Sequence, residues 1–205
     1  MKLLSATFFI LCSLVFVSAQ TAPAKVVFTE KDRESVLKYL DETKAEYVKQ
    51  LTGISDAQLN FRVAEGRWTI AEIAEHITVV EQALFGMFTA PSASKKFASD
   101  DLPRIGDTTI KLAITNRGTK FTAPEQVRPN GRWKTVADLI ANFEKTRAAT
   151  IEYIKNNKTD LRGTFVQSPM GTIDSAQGIV FISGHADRHL AQLREVKADA
   201  KYPAK

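Results

Sequence analysis

Three histidines are all that the 205-residue chain contains, and their spacing indicates metal chemistry. His185 and His189 lie four residues apart, which on a helix places both rings on one face, one turn apart. Two imidazoles so placed can bind one divalent ion about 2.0–2.1 Å from each nitrogen. The third, His76, borders the apolar stripe of another predicted helix. The sequence therefore predicts that His76, His185 and His189 bind one divalent metal ion.

Three imidazole ligands would leave part of the coordination sphere open to water or substrate, as in catalytic rather than structural zinc-type sites. An ion held in this way can polarise a group under attack and lower the pKa of water, so hydrolysis is the first hypothesis. Substitution at a thiol is a second reaction of the same kind of site. One alternative is a non-catalytic module that binds metal or a small molecule. Another is that the histidines have only a structural role.

The sequence offers no evident general base beside these histidines. Glu72 fits the capping position of its helix, and Glu81 lies about 140° around the helix from His76 and should face elsewhere. Glu75 remains a candidate for a base or for a hydrogen-bond partner of an imidazole. Gln192 follows His189 by three positions and could reach the edge of the site.

Four segments show the 3.6-residue periodicity of amphipathic helices. Three of them begin with a hydroxyl residue followed three positions later by a carboxylate, which is the pattern of a capping box. These pairs are Thr29 with Asp32, Thr69 with Glu72 and Thr135 with Asp138. The predicted helices cover 30–51, 70–88 and 136–156, and a fourth starts near Thr172 or Asp174 and ends near Val196. The predicted fold is all-α, a four-helix bundle with a turn through Gly163, Pro169 and Gly171 before the last helix.

Residues 89–134 form a long connection between the second and third helices. It is rich in proline and glycine, and Ile110–Ile114 could form a short helix or strand. A connection of this length is uncommon in a compact domain, so it should be either a lid or a crossover along the bundle. The crossover is the favoured interpretation.

The first 19 residues have the pattern of a secretory signal peptide, because Lys2 precedes an apolar run that ends at the small residues Val17-Ser18-Ala19. The run is shorter than the roughly 20 apolar residues of a membrane span. We therefore expect export to the periplasm or the medium, with no stable membrane anchor after cleavage. Cys12, the sole cysteine, lies inside the run, so the mature chain would have neither disulfides nor a thiol nucleophile.

The formal charge of +5 at pH 7 is spread along the chain with alternating signs. Nucleic-acid-binding domains usually concentrate basic residues on one face or stripe, interleaved with aromatic residues. No such block occurs in this sequence. Nucleic acid is therefore not an expected partner. We expect instead a small-molecule substrate or ligand, whose identity is unknown.

Several short motifs in this order resemble the DinB-like superfamily, in particular its subgroup with a long central linker. Gly66-Arg67-Trp68-Thr69-Ile70 followed by His76 looks like that family's Trp-Ser/Thr-helix-His signature. The linker resemblance lies in Arg117-Gly118 and in Pro129-Asn130-Gly131-Arg132-Trp133. The segment from His185 to Leu193 resembles the family's final helix, which carries its His-x-x-x-His pair.

The resemblance implies an up-down-down-up bundle over residues 29–197, with a short lead at 20–28 and a tail at 198–205. It also implies a three-histidine site for nickel, zinc or another divalent ion, and a possible homodimer. The family includes thiol-dependent S-transferases and metal-dependent hydrolases. This sequence departs from the thiol-transferase setting through its signal peptide, because export would separate the chain from the reduced low-molecular-weight thiols of the cytoplasm. Thiol transfer is therefore the less expected of the two activities.

Overall fold

The computed structural model describes residues 26–90, 105–168 and 170–204. The predicted signal peptide, residues 1–19, lies outside the described residues. The main elements are α1 (Glu30–Leu51), α2 (Asp56–Leu59), α3 (Ile70–Thr89), α4 (Asp107–Thr115), α5 (Val136–Asn156), β1 (Phe165–Ser168), β2 (Gly171–Asp174) and α6 (Ser175–Lys197). A short 3₁₀ turn, Glu125–Val127, precedes α5. In this part of the chain, no helix is both long and apolar enough to span a membrane.

The N-terminal ends of three long helices follow the predicted capping pattern. The Thr29 hydroxyl accepts a hydrogen bond from the backbone N–H of Asp32, whose carboxylate accepts one from the Thr29 N–H. Thr69 and Glu72 form the same reciprocal pair at α3, and the Thr135 hydroxyl caps α5. These bonds satisfy backbone donors that a helix start would otherwise leave unpaired. The predicted starts of α1, α3 and α5 are therefore confirmed.

Two apolar clusters establish the direction of the four long helices. The first cluster contains Val36 from the start of α1, Phe88 and Ile154 from the ends of α3 and α5, and Ile179 from the start of α6. The second joins the opposite ends of the same helices, through residues that include Leu51, Ile73, Leu139 and Leu193. Helices α1 and α6 thus run one way, and α3 and α5 run the other way. The predicted four-helix bundle has the expected up-down-down-up order.

Helix α6 lies at the centre of the packing and contacts α1, α3 and α4. Two of its glycines are needed for this close approach. An ideal Cβ on Gly178 would lie 2.4 Å from the Phe88 ring, and one on Gly184 would lie 2.3 Å from Cγ2 of Ile114. Both distances are well below van der Waals contact, so a larger residue at either position would push α3 or α4 away from α6.

The long connection between α3 and α5 is a crossover, because parallel neighbouring helices require the chain to return along the length of the bundle. Residues 110–114, which the sequence left open between helix and strand, belong to α4. Helix α4 packs against α6, and the 3₁₀ turn packs against α3. The crossover therefore contacts both helices that carry histidines.

A β-hairpin replaces the simple turn predicted between α5 and α6. Strands β1 and β2 pair antiparallel, with Phe165 opposite Asp174 and Val166 opposite Ile173. Val166 and Ile173 are buried in the first apolar cluster, which explains why this segment is ordered as strands. Asp174 then caps α6, so that helix starts at Ser175. The bundle prediction is correct, and the hairpin is an addition to it.

A buried ion pair joins three helices in the middle of the bundle. The Arg147 guanidinium of α5 donates two hydrogen bonds to the Glu81 carboxylate of α3, at 2.8 and 2.7 Å. It also donates to the Thr43 hydroxyl and to the Leu40 carbonyl of α1. The side chains of Arg147 and Glu81 are 0% and 2% exposed. A shift of one helix relative to the others would leave a buried charge without its partner, which is costly. The network therefore holds α1, α3 and α5 in a fixed alignment.

The Arg147→Met variant should lower the free energy of unfolding by about 3–5 kcal/mol, because it leaves the Glu81 carboxylate buried without its counter-ion. Urea unfolding followed by circular dichroism measures this loss. The matched control is Arg194→Met, which breaks the exposed Arg194–Glu46 pair and should cost less than about 1 kcal/mol. Equal, small losses in both variants would contradict the role assigned to the buried pair.

Candidate metal centre

The three histidines meet between α3 and α6. The ring centroids of His76 and His185 are 5.2 Å apart, those of His76 and His189 are 4.7 Å apart, and those of His185 and His189 are 4.5 Å apart. One nitrogen from each ring can be chosen so that all three lie within 4.8 Å of one another. The sequence prediction that these residues come together is confirmed.

Local structure explains how each ring reaches this position. His185 and His189 lie one turn apart on α6, and α3 packs directly against that face. His76 is buried on α3, whereas His185 and His189 are half-buried. The cluster is therefore largely enclosed, and the exposure that remains belongs to the two histidines of α6.

Hydrogen bonds define the orientation of two of the rings. Nδ1 of His76 lies 2.8 Å from the carbonyl oxygen of Val127, and only a protonated Nδ1 can donate to that oxygen. Nδ1 of His189 lies 2.8 Å from Oε1 of Gln192 and donates in the same way. In both residues Nε2 then keeps its lone pair. Outer hydrogen bonds of this kind usually orient imidazoles that bind metal ions.

Burial favours the neutral form of the three imidazoles. It lowers the pKa of His76 below its ordinary value, although the hydrogen bond to Val127 opposes the effect. Burial also lowers the pKa of His185, and the neighbouring His189 and His76 lower it further. Burial lowers the pKa of His189 to about 3. Neutral imidazoles are the form that binds metal ions, so burial favours the state in which one nitrogen of each ring keeps a free lone pair.

The donor set fits a divalent ion that accepts nitrogen ligands. Imidazole suits zinc and nickel, whereas magnesium and calcium prefer oxygen. A tetrahedral ion with bonds of about 2.0–2.1 Å places its nitrogens about 3.3 Å apart. Metal binding would draw the three nitrogens closer than their present separations of up to 4.8 Å. The cluster can therefore supply three ligands and leave further positions for other groups.

The Trp68 ring packs beside two of the histidines. Its ring centroid lies 4.7 Å from that of His76 and 6.3 Å from that of His189, nearly parallel to the latter ring. Its half-buried side chain also packs against the second apolar cluster. Trp68 thus combines core packing with a direct contact to the histidine cluster.

The carboxylates of α3 are all engaged away from the histidines. Glu72 caps the helix and pairs with Arg62. Glu81 faces away from the histidines, as its position around the helix predicted, and it binds Arg147. Glu75, which the sequence left as a candidate base, accepts hydrogen bonds from the crossover at residues 130–132. None of the three is placed to act as a general base at the cluster.

Two contacts of the site were outside the reach of sequence reasoning. The Val127 carbonyl belongs to the backbone of an irregular segment, so no side-chain pattern indicates it. The hydrogen bonds between the Glu75 carboxylate and residues 130–132 join positions more than 50 residues apart. Gln192 was recognised as able to reach the edge of the site, because its spacing from His189 is local to one helix.

Comparisons with known proteins agree with this fold. The sequence model of the DinB superfamily matches residues 29–193. YuaE of Bacillus subtilis (strain 168), an uncharacterized protein, is 24% identical over 159 residues, which cover 77% of this chain and 94% of YuaE.

Among solved structures, YfiT from Bacillus subtilis superimposes with a TM-score of 0.54 at 12% identity, covering 85% of this chain and 90% of YfiT. YfiT is described as a probable metal-dependent hydrolase with an unusual four-helix bundle topology. At this identity the likeness establishes the fold. Because the family model covers most of the chain, the protein belongs to the DinB superfamily.

Proposed function

We propose that this protein is a metal-dependent hydrolase that binds one zinc or nickel ion through His76, His185 and His189. The observation that carries the proposal is the convergence of three imidazoles, two of which engage Nδ1 in an outer hydrogen bond and so leave Nε2 free. The description of YfiT as a probable metal-dependent hydrolase supports it. Expected export through residues 1–19 belongs to the same proposal and places the reaction outside the cytoplasm.

The protein's own groups have distinct tasks in this reaction. The Val127 carbonyl and Gln192 hold the rings of His76 and His189 in one tautomer and one orientation. The ring of Trp68 closes one side of the site and limits the access of water. When bound, the ion supplies Lewis acidity, which polarises a scissile carbonyl or phosphoryl group and lowers the pKa of water.

A non-catalytic module that binds metal or a small molecule is the second candidate. It is favoured by the engagement of Glu72, Glu75 and Glu81 in other contacts, which leaves no carboxylate of α3 for proton transfer at the site. The two candidates share the metal site and differ in turnover.

Purified protein loaded with zinc should hold one ion per chain, and His189→Ala should lose tight binding, because two imidazoles remain where three are needed. Equilibrium dialysis with elemental analysis measures the stoichiometry. Gln82→Ala, on the same helix as His76 but outside the cluster, is the control and should bind like the wild type. Full zinc occupancy in the His189→Ala variant would exclude this site.

Zinc- and nickel-loaded protein should hydrolyse at least one member of a panel of ester, amide and phosphoester substrates, with turnover that disappears in His185→Ala. Thiol conjugates belong in the same panel, since transfer to a thiol is the other reaction that the superfamily resemblance implies. Product release is followed by absorbance and by mass spectrometry. Stoichiometric metal binding without turnover of any substrate would favour the non-catalytic module.

A further inference from the structure

The crossover lies on both sides of the histidine cluster. On the α6 side, the Arg188 guanidinium donates hydrogen bonds to the carbonyls of Asn116 and Thr119. Arg117 pairs through two bonds with Glu195, also on α6. On the α3 side, the contacts are made by residues 127–132. The chain between 119 and 127 thus passes from one histidine-bearing helix to the other.

Glu75 holds the α3 side of this segment. Its oxygens accept hydrogen bonds from the backbone N–H groups of Asn130 and Gly131, both at 2.9 Å, and of Arg132 at 3.1 Å. The Arg132 guanidinium donates a further bond at 2.6 Å. The carboxylate is 2% exposed. Gly131 has a φ of +78°, a conformation that glycine adopts without strain and that lets successive N–H groups converge on one anion.

Residues 123–132 are stiff enough to transmit this anchoring to the Val127 carbonyl. The N–H of Val127 bonds to the Pro124 carbonyl at 3.1 Å. Nη1 of Arg132, which holds Glu75, also donates to the Arg128 carbonyl at 3.2 Å. Nε of Arg128 donates to the Ala123 carbonyl at 2.9 Å. The Val127 carbonyl is therefore fixed from both directions along the chain.

We propose that Glu75 is a positioning residue: by anchoring residues 130–132, it holds the Val127 carbonyl against Nδ1 of His76, so that Nε2 is the nitrogen presented to the metal. The proposal rests on the proposed function for its metal and concerns the ring orientation of one ligand. Glu75 and His76 are consecutive on α3 and both contact the same short stretch of the crossover. The Glu75 carboxylate fixes residues 130–132, and through them the Val127 carbonyl that orients the His76 ring.

The test compares Glu75→Gln with Glu72→Gln. In Glu75→Gln the size is kept, but one acceptor becomes an amide that faces backbone N–H donors, so the segment should loosen. Zinc affinity, measured by competition with a chromophoric chelator, should fall about 10-fold, which is the usual effect of losing an outer hydrogen bond to a metal ligand. Glu72→Gln weakens a helix cap on the same helix and should leave zinc affinity unchanged.

A second measurement needs no metal. In the metal-free wild type, ¹⁵N NMR of the imidazole rings should show His76 with its proton on Nδ1. In Glu75→Gln a substantial fraction should carry the proton on Nε2, and in Glu72→Gln the wild-type tautomer should persist. Because this readout is independent of metal and activity, it separates failure of this proposal from failure of the metal site itself.

Gly131→Ala provides an independent perturbation of the same contact. It strains the backbone at positive φ in an exposed turn, outside the bundle core, and should shift the His76 tautomer in the same direction as Glu75→Gln. If Glu75→Gln does not fold, Gly131→Ala decides the question. A wild-type tautomer of His76 in Gly131→Ala, or wild-type zinc affinity in a folded Glu75→Gln, would overturn the proposal.

Discussion

The contact between α3 and α6 brings His76 to the other two histidines, and the proposed chemistry depends on it. The two helices meet closely at Gly178, where a Cβ would overlap the Phe88 ring of α3. The ion pair between Glu81 and Arg147, whose side chains are 2% and 0% exposed, aligns α3 with α5 in the bundle interior. The apolar clusters at the two ends close the same interface. The geometry of the site is thus a consequence of core packing.

The direction of the helices also explains why the crossover takes part in the site. Helices α3 and α5 are neighbours and run the same way, so the chain between them must travel back along the bundle. On its path it packs against α6 through α4 and against α3 through the 3₁₀ turn. Both helices carry histidines, and the Val127 carbonyl meets His76 there. A connection required by topology therefore supplies part of the environment of His76.

Local signals were sufficient to predict the four long helices and the grouping of the three histidines. Thr29, Thr69 and Thr135 mark helix starts because the capping bond spans only three residues. His185 and His189 could be paired because their spacing equals about one helical turn. Their partnership with His76 followed from its place beside an apolar stripe, since apolar stripes of neighbouring helices pack together.

Long-range contacts were not predictable from the sequence. Glu81 and Arg147 are 66 positions apart on different helices, and no local pattern indicates which charged residues of two helices will pair. The hairpin at 165–174 was interpreted as a turn, because strands of four residues carry too little alternation to be recognised. The Val127 carbonyl is a backbone group, and residue type does not indicate its use. These features became visible only with the packing of the whole chain.

X-ray absorption spectroscopy at the zinc edge of the stoichiometrically loaded protein tests the central claim most directly. The account predicts three imidazole nitrogens at about 2.0–2.1 Å, with the remaining ligand or ligands being oxygen. The His76→Ala variant, loaded under the same conditions, should show no more than two imidazoles. A wild-type spectrum with fewer than three imidazoles, or one that His76→Ala leaves unchanged, would contradict the assignment of this metal centre.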